Sequence, residues 1–386
     1  MKVSKSQMIL SELNDMVQNL CLPNLTRTDI IEYLACGLGG IEHSQIIDLV
    51  QEYSGKGRVF ENQNPKASKL GLEELRKEVE RLCNEHEGLK KFHVIAMLSD
   101  QPLPPSERKQ KGVYYTDFRL SQILRNELKR THTIPERILE MSCGSAILAG
   151  EATDHYAGGN QQELSRIIRE EVHLWDISAQ ALRSALATYC TFGVQIVDLR
   201  GLVSRMHLGD SLQMYNASSF HNNFGLIIGN PPWEKLDVDK QEITKSLETS
   251  HFYGEDIPEH LKDEVNSTAV EKKKANKKYI EGLEKSGYKH QEGTNDLYKF
   301  FMELALNLLS SSGRCVLILP GSIIRSESAS KLRIALFTGK YKQIRIQVTN
   351  NSEGYFSEVD SRKKIVILSF EGSKIKPNQI SIGGFK

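Results

Sequence analysis

Residues 224–233 read Phe-Gly-Leu-Ile-Ile-Gly-Asn-Pro-Pro-Trp. The apolar run at 224–228 has the character of a buried strand. Asn230, Pro231, Pro232 and Trp233 follow at its carboxyl end. In open α/β sheets, ligand sites lie outside the carboxyl ends of strands. Two prolines fix φ and donate no backbone hydrogen bond, so this turn is stiff and its carbonyls are available to a ligand. Asn-Pro alone is common in turns ahead of helices. All four residues directly after an apolar strand are much rarer, and they anchor the reading of both fold and site.

Outward from this turn, short apolar runs at 137–140, 172–175, 206–208, 315–319, 344–348 and 364–370 alternate with helical stretches such as 179–189 and 297–309. That alternation predicts an α/β domain, a Rossmann-like twisted sheet of mainly parallel strands, over residues 112–386. Residues 1–99 differ: apolar residues at three-to-four spacing in 9–20 and 70–83 predict an α-helical N-terminal domain. Residues 100–111, rich in proline and charge, predict a linker. An insertion at 234–294 has few strand signals and carries a basic cluster of Lys272, Lys273, Lys274, Lys277 and Lys278. Charge runs are usually a solvated helix face or a loop. The position of this one, just after the Asn230 turn, leaves a nucleic-acid-facing surface equally open.

Composition bounds the partners. Of 386 residues, 39% are hydrophobic, enough for a sizeable core. Lys and Arg number 50 against 49 Asp and Glu, a net charge of +1. A polybasic arm is therefore excluded as the main binding device, but a local basic face is not. The six cysteines form no CxxC pair, which argues against a zinc ribbon or redox dithiol and predicts no metal site. A reducing, cytoplasmic location is expected. The first 20 residues lack the apolar core of a signal peptide, and no apolar run reaches the roughly 20 residues of a membrane span.

Acidic residues recur at the ends of successive strands. Glu140 opens a small-residue turn, Met141-Ser142-Cys143-Gly144-Ser145-Ala146, where a ligand can approach backbone and helix N-terminus. Asp176, followed by Ile177, ends the second strand and can accept both hydroxyls of a ribose. Asp210, followed by Ser211, ends the third and can accept an adenine amine. Each alone reads as a cap or turn former; the series, followed by Asn230, reads as a site. An aromatic amine is a poor nucleophile because its lone pair enters the ring. The Asn230 side-chain oxygen and the Pro231 carbonyl can accept its two protons and favour a pyramidal nitrogen. Trp233 offers a flat face to an unstacked base.

These motifs resemble the adenine-N6 DNA methyltransferases, in particular the gamma class of restriction-modification and related defence systems. Residues 112–116, ending in Tyr115 and Thr116, look like the motif that closes over the methionine part of the cofactor. Residues 140–146 look like the acidic cofactor loop, Asp176 and Asp210 match the ribose and adenine positions, and residues 230–233 match the catalytic motif. The stretch 295–301 (NDLYKFF) and the strand after it are also similar, and Phe356 falls where an aromatic residue contacts the extruded base. The resemblance covers 112 to the end. It implies S-adenosyl-L-methionine as cofactor, base flipping, double-stranded DNA as partner and a class I methyltransferase fold. Three residues depart from the family pattern: Met141 and Ala146 stand for Pro and Gly, and Asp117 for Pro. The extra Cβ of Ala146 is expected to crowd the cofactor. No recognition domain is legible, so target reading is expected from a separate specificity subunit, from further sequence, or from the N-terminal helices and the insertion. Two other readings stay open: methylation of a protein glutamine or RNA base amine, and a catalytically weak DNA-binding scaffold. A cytosine-C5 enzyme is disfavoured, since no Pro-Cys dipeptide supplies a nucleophile.

Overall fold

The computed structural model describes residues 5–21, 26–54, 69–100, 116–130, 134–216, 220–238, 240, 243–244, 259–356, 361–373 and 380–384. At its centre is a sheet in the order β3-β2-β1-β4-β5-β7-β6-β8. The strands are β1 Ile138–Glu140, β2 Val172–Asp176, β3 Met206–Leu208, β4 Phe224–Gly229, β5 Leu309–Pro320, β6 Tyr341–Asn350, β7 Lys364–Gly372 and β8 Ile380–Gly384. Strands β3, β2, β1, β4 and β5 run parallel. β7 is antiparallel to both its neighbours, and β8 is parallel to β6. The mainly parallel α/β sheet expected from the alternation is borne out. The strand not foreseen is β8, a five-residue edge strand ending in two glycines, which weakens any strand signal.

Both faces of the sheet are covered, so its central strands read as near-continuous apolar runs. Successive side chains separate cleanly between two cores. Ile138, Leu226, Ile228, Val316 and Ile318 enter one; Leu139, Ile227, Cys315, Leu317 and Leu319 enter the other. Phe224 breaks the alternation and joins the second core, because the pairing of β4 with β5 shifts register between Phe224 and Leu226.

Among the described residues, ten helices precede β3: α1 Lys5–Leu20, α2 Arg27–Gly39, α3 His43–Ser54, α4 Lys69–Glu85, α5 Lys91–Ser99, α6 Phe118–Leu128, α7 Ile147–Ala157, α8 Gln161–Glu170, α9 Ala179–Cys190 and α10 Ile196–Val203. The first five do not close on a core of their own. Leu13, Leu34, Leu75 and Ile95 belong to the same apolar cluster as α7, α9 and β1. The α2–α9 contact is close: a Cβ on Gly39 would stand 1.7 Å from the Cys190 carbonyl oxygen. Beside it Arg183 donates to Asp29 Oδ1 (2.9 Å) and Glu32 Oε2 (2.7 Å). The first residue of the expected linker is part of the packed structure. Asp100 is 6% exposed and accepts the Ser145 hydroxyl at 2.9 Å; residues 101–111 lie outside the described residues.

The described part of the insertion is mainly helical, with a β-bridge from Lys235 to Asp296 and turns at 286–294. Residues 262–285 form α11, Lys262–Lys285, which with Ile243 and Leu261 builds a small satellite core. Beyond it, α12 (Leu297–Leu308), α13 (Ser322–Arg325) and α14 (Ser330–Thr338) follow, and α12 and α14 cover the second face of the sheet. No helix among the described residues is long and apolar enough to cross a membrane.

Candidate active site at the carboxyl ends of the central strands

The strand order reverses between β1 and β4, and the crevice at such a switch point is where doubly wound sheets bind ligands. β1 ends at Glu140, and the turn to α7 needs a left-handed residue at Gly144, where φ is +51°. The Gly144 N–H donates to Asp176 Oδ2 (2.9 Å), tying the ends of β1 and β2 together. Asp176 Oδ1 accepts the Ser178 N–H at the start of α9 (2.9 Å). At the end of β3, Asp210 Oδ1 accepts the Leu212 N–H (3.0 Å), and the Ser211 hydroxyl donates to the Met141 carbonyl (2.6 Å).

These turns wall a cavity of about 810 Å³, within the roughly 300–1,000 Å³ of small-molecule sites. Thr116, Glu140, Ser142, Gly144, Asp176, Ile177, Asp210 and Ser211 all line it, and so do Asn230 and Pro232. Tyr115 lies outside the described residues. Ile177 is 74% exposed, an aliphatic face at the cavity mouth.

Among the described residues, the lining carries five carboxyl groups, Asp100, Glu140, Asp176, Asp210 and Glu234, and no lysine, arginine or histidine. Burial pushes the Glu140 carboxyl well above its ordinary value, and Asp176 and Asp100 press the same way against the Ala149 N–H bond. Burial also raises Asp176, opposed by the N–H groups of Gly144, Ser178 and Ile177. A cavity of this kind favours a cation. Cys143 is held as a thiol, its pKa well raised by burial.

The three departures from the motif pattern are accommodated by the surroundings. Ala146 has φ +59°, a left-handed conformation that glycine adopts more readily. It is fully buried in the first core and does not line the cavity, so its Cβ does not crowd a ligand there. The Met141 side chain is buried in the second core. Asp117 is the N-cap of α6: its side chain accepts the Arg119 N–H (2.9 Å) and pairs with the Arg119 guanidinium (2.7 Å).

Asn230 and Pro232 face the cavity, and Pro231 is buried behind them. Asn230 Nδ2 donates to Thr116 Oγ1 at 3.3 Å. The turn is pinned from the far side, where Leu297 N–H donates to the Glu234 carbonyl (2.9 Å) and Leu236 N–H to that of Asn295 (2.8 Å). Trp233 is half-buried and meets Phe356 edge-on, ring centroids 5.0 Å apart. Phe356 is only 3% exposed. The structure brings the two expected aromatics together, with Phe356 buried behind Trp233. A reciprocal pair of bonds holds it there, Asn351 Nδ2 to the Phe356 carbonyl (2.7 Å) and Phe356 N–H to Asn351 Oδ1 (2.9 Å).

Lys272, Lys273, Lys274, Lys277 and Lys278 all lie on α11, and all are exposed. At about 100° per residue they spread over some two-thirds of the helix circumference. Lys273 and Lys277 border a separate groove with Leu236 and Asn276. Sequence reading missed several cavity residues. Tyr279 comes from α11, and its hydroxyl donates to Asp210 Oδ2 at 2.7 Å. Thr28, Ser99 and Asp100 come from the N-terminal helices. None belongs to a motif; each reaches the cavity by tertiary packing.

A doubly wound sheet with β7 reversed and a cavity over β1–β4 defines a class I methyltransferase fold. Residues 269–356 match the family model described as Eco57I restriction-modification methylase. The resemblance to restriction-modification methylases read from the sequence is thereby borne out. Solved structures agree in fold. A DrdV–DNA complex superposes with a TM-score of 0.53 at 12% identity, over 98% of this chain and 40% of that one. The type IIG restriction endonuclease BpuSI gives 0.51 at 15%, over 96% and 40%. A modification subunit assigned to a type I restriction enzyme from Vibrio vulnificus YJ016 gives 0.50 at 11%, over 99% and 85%. The chain thus spans well under half of the DrdV and BpuSI chains. No curated protein sequence matches it.

Proposed function

We propose that this chain is an S-adenosyl-L-methionine-dependent methyltransferase that modifies the N6 amine of adenine in double-stranded DNA, within a restriction-modification or related defence system of the cytoplasm. The observation that carries this reading is that one cavity is lined both by the residues expected to hold the cofactor and by Asn230 of the Asn-Pro-Pro-Trp turn. The chemistry of the lining fits that cofactor: its sulfonium and ammonium are cationic, and the described part of the wall has five carboxyl groups and no basic side chain. Ile177 would offer an apolar surface to the adenine ring, Asp176 and Asp210 would offer acceptors to the ribose and the amine, and Glu140 would serve the methionine part.

S-adenosylmethionine would supply an electrophilic methyl group with a neutral thioether as leaving group. The protein's share is positioning and hydrogen bonding. With Nδ2 turned to Thr116, the accepting end of the Asn230 amide is Oδ1. Accepting from N6–H, with the Pro231 carbonyl taking the second proton, draws the nitrogen toward pyramidal geometry and builds lone-pair density on the attacking side. One N6 proton leaves to solvent as the C–N bond forms. Trp233, propped by Phe356, gives the flipped base a surface to lie on. The lysines of α11 and a separate specificity subunit are the proposed sources of DNA affinity and target choice.

Transfer from methyl-labelled S-adenosylmethionine to mixed-sequence DNA, followed by nucleoside analysis, tests this. N6-methyladenine supports it. Label in protein or RNA alone moves the substrate to another planar amine, and failure to bind the cofactor with or without DNA leaves a scaffold.

A further inference from the structure

Helix α5 is buried along almost its whole length and ends against the cavity, carrying Ser99 and Asp100 into its wall. Asp100 N–H completes the helix on the Ala96 carbonyl (3.1 Å). Its carboxyl accepts the Ser145 hydroxyl (2.9 Å), so it stands beside the turn after β1. Ser99 is 8% exposed, and its hydroxyl has no hydrogen-bond partner among the described residues. A buried hydroxyl left this way is uncommon unless a ligand or water completes it. Glu140, the carboxyl that the motif pattern points to, is more deeply placed and accepts the Ala149 N–H on Oε2 (3.0 Å).

We propose that Ser99 and Asp100 form the subsite for the charged amino-acid end of the cofactor, with Asp100 meeting its ammonium group. The inference rests on the cofactor reading above and adds residues from the N-terminal helices, outside the segment 269–356 that matches the methylase family. The N-terminal helices then complete the cofactor site, in addition to packing against the sheet. A carboxylate paired with an ammonium gives the strong, charge-assisted kind of hydrogen bond, and the Ser99 hydroxyl has acceptor and donor capacity for either charged group of an amino acid.

The test measures binding by titration calorimetry on the full chain with S-adenosylhomocysteine, its deaminated analogue, and 5′-methylthioadenosine, which lacks the amino-acid end. The wild type is expected to bind the deaminated analogue at least tenfold more weakly than S-adenosylhomocysteine. In Asp100→Asn that difference should shrink to within about twofold, with 5′-methylthioadenosine binding unchanged. Ser99→Ala, a smaller change, should weaken S-adenosylhomocysteine several-fold and spare 5′-methylthioadenosine. If the tenfold difference persists in Asp100→Asn and disappears in Glu140→Gln, the ammonium belongs to Glu140 and the inference falls. Equal weakening of all three ligands would mean a structural role, which also overturns it. A wild type that binds none of the three removes the cofactor reading itself, and this subsite with it. The Ser99 variant and the wild-type ligand series still decide the matter if Asp100→Asn fails to fold.

Discussion

Asn230 sits where a strand and two prolines leave it little freedom, its amide turned by Thr116. Under the proposed chemistry, Asn230→Ala removes one N6 acceptor. Transfer should fall by two or more orders of magnitude, the scale seen when one preorganised hydrogen-bonding group at a reacting centre is lost. Cofactor affinity should change less than twofold. Single-turnover transfer and calorimetry on one preparation check both, and substantial residual transfer would remove Asn230 from the reacting centre. Tyr279 poses a different question. Its hydroxyl is held by burial and by Asp210 in the protonated, donating form, its pKa pushed up. The bond joins α11 to the turn after β3. Tyr279→Phe should cost about 1–2 kcal/mol of unfolding free energy, the range for a bond to a carboxylate discounted for partial exposure. Urea unfolding reads it, and an unchanged midpoint would make the contact incidental.

At the scale of elements, α5, α6 and α7 meet around one buried carboxylate. Glu151 accepts from Arg125 Nη1 (2.6 Å) and faces His93 Nε2 (2.7 Å). Lys90 N–H donates to His93 Nδ1 (3.0 Å), so Nε2 is the end that donates to Glu151. Burial alone would raise the Glu151 pKa; the hydrogen bonds of His93 and Arg125, with the Arg125 charge, outweigh it and bring the value to about 2. A carboxylate depressed below its ordinary value of about 4.3 stabilises the fold above that pH, and the contribution is lost as pH falls through about 2. Glu151→Gln should therefore be less stable than wild type by about 2–3 kcal/mol at pH 7, and the gap should narrow from pH 5 downward. Urea unfolding at pH 7 and pH 3.5 decides; a gap that stays constant would remove the ionic contribution. Helix α11 carries its own prediction. Replacing Lys272, Lys273 and Lys274 with Ala should weaken DNA binding and reduce the salt slope by about 0.9 for each lysine that meets a phosphate. Fluorescence anisotropy across a salt series measures it, and an unaltered slope would return these residues to a solvated surface.

The whole molecule is held together across its N-terminal helices, and Gly39 is where that is most sensitive. A Cβ 1.7 Å from the Cys190 carbonyl cannot be absorbed by side-chain rotation, because the obstacle is backbone. Gly39→Ala should push α2 off α9 and cost about 2–3 kcal/mol or more, the upper range for overpacking. Since α5 docks through the same core, ligand affinity should fall with stability. A variant as stable as wild type would mean that the helices slide past each other freely. The α/β architecture, the stiff turn at 230–233 and the serial carboxylates were legible in the chain because each rests on local facts: short apolar runs alternating with helical stretches, proline's fixed φ, and acidic residues at strand ends. Glu140, Asp176, Asp210 and Asn230 converge on one cavity because a parallel sheet brings its carboxyl ends to one edge. Other features depend on contacts between residues far apart in sequence, which no spacing rule encodes. Packing behind Trp233 gave Phe356 a buried place, and the bulge before Leu226 turned Phe224 to the opposite core. Ala146 avoids the cavity because the core behind the turn takes its methyl group. The convergence of Tyr279, Ser99 and Asp100 on the strand ends follows from helices 11 and 5 docking there, and only the tertiary structure decides where a helix docks.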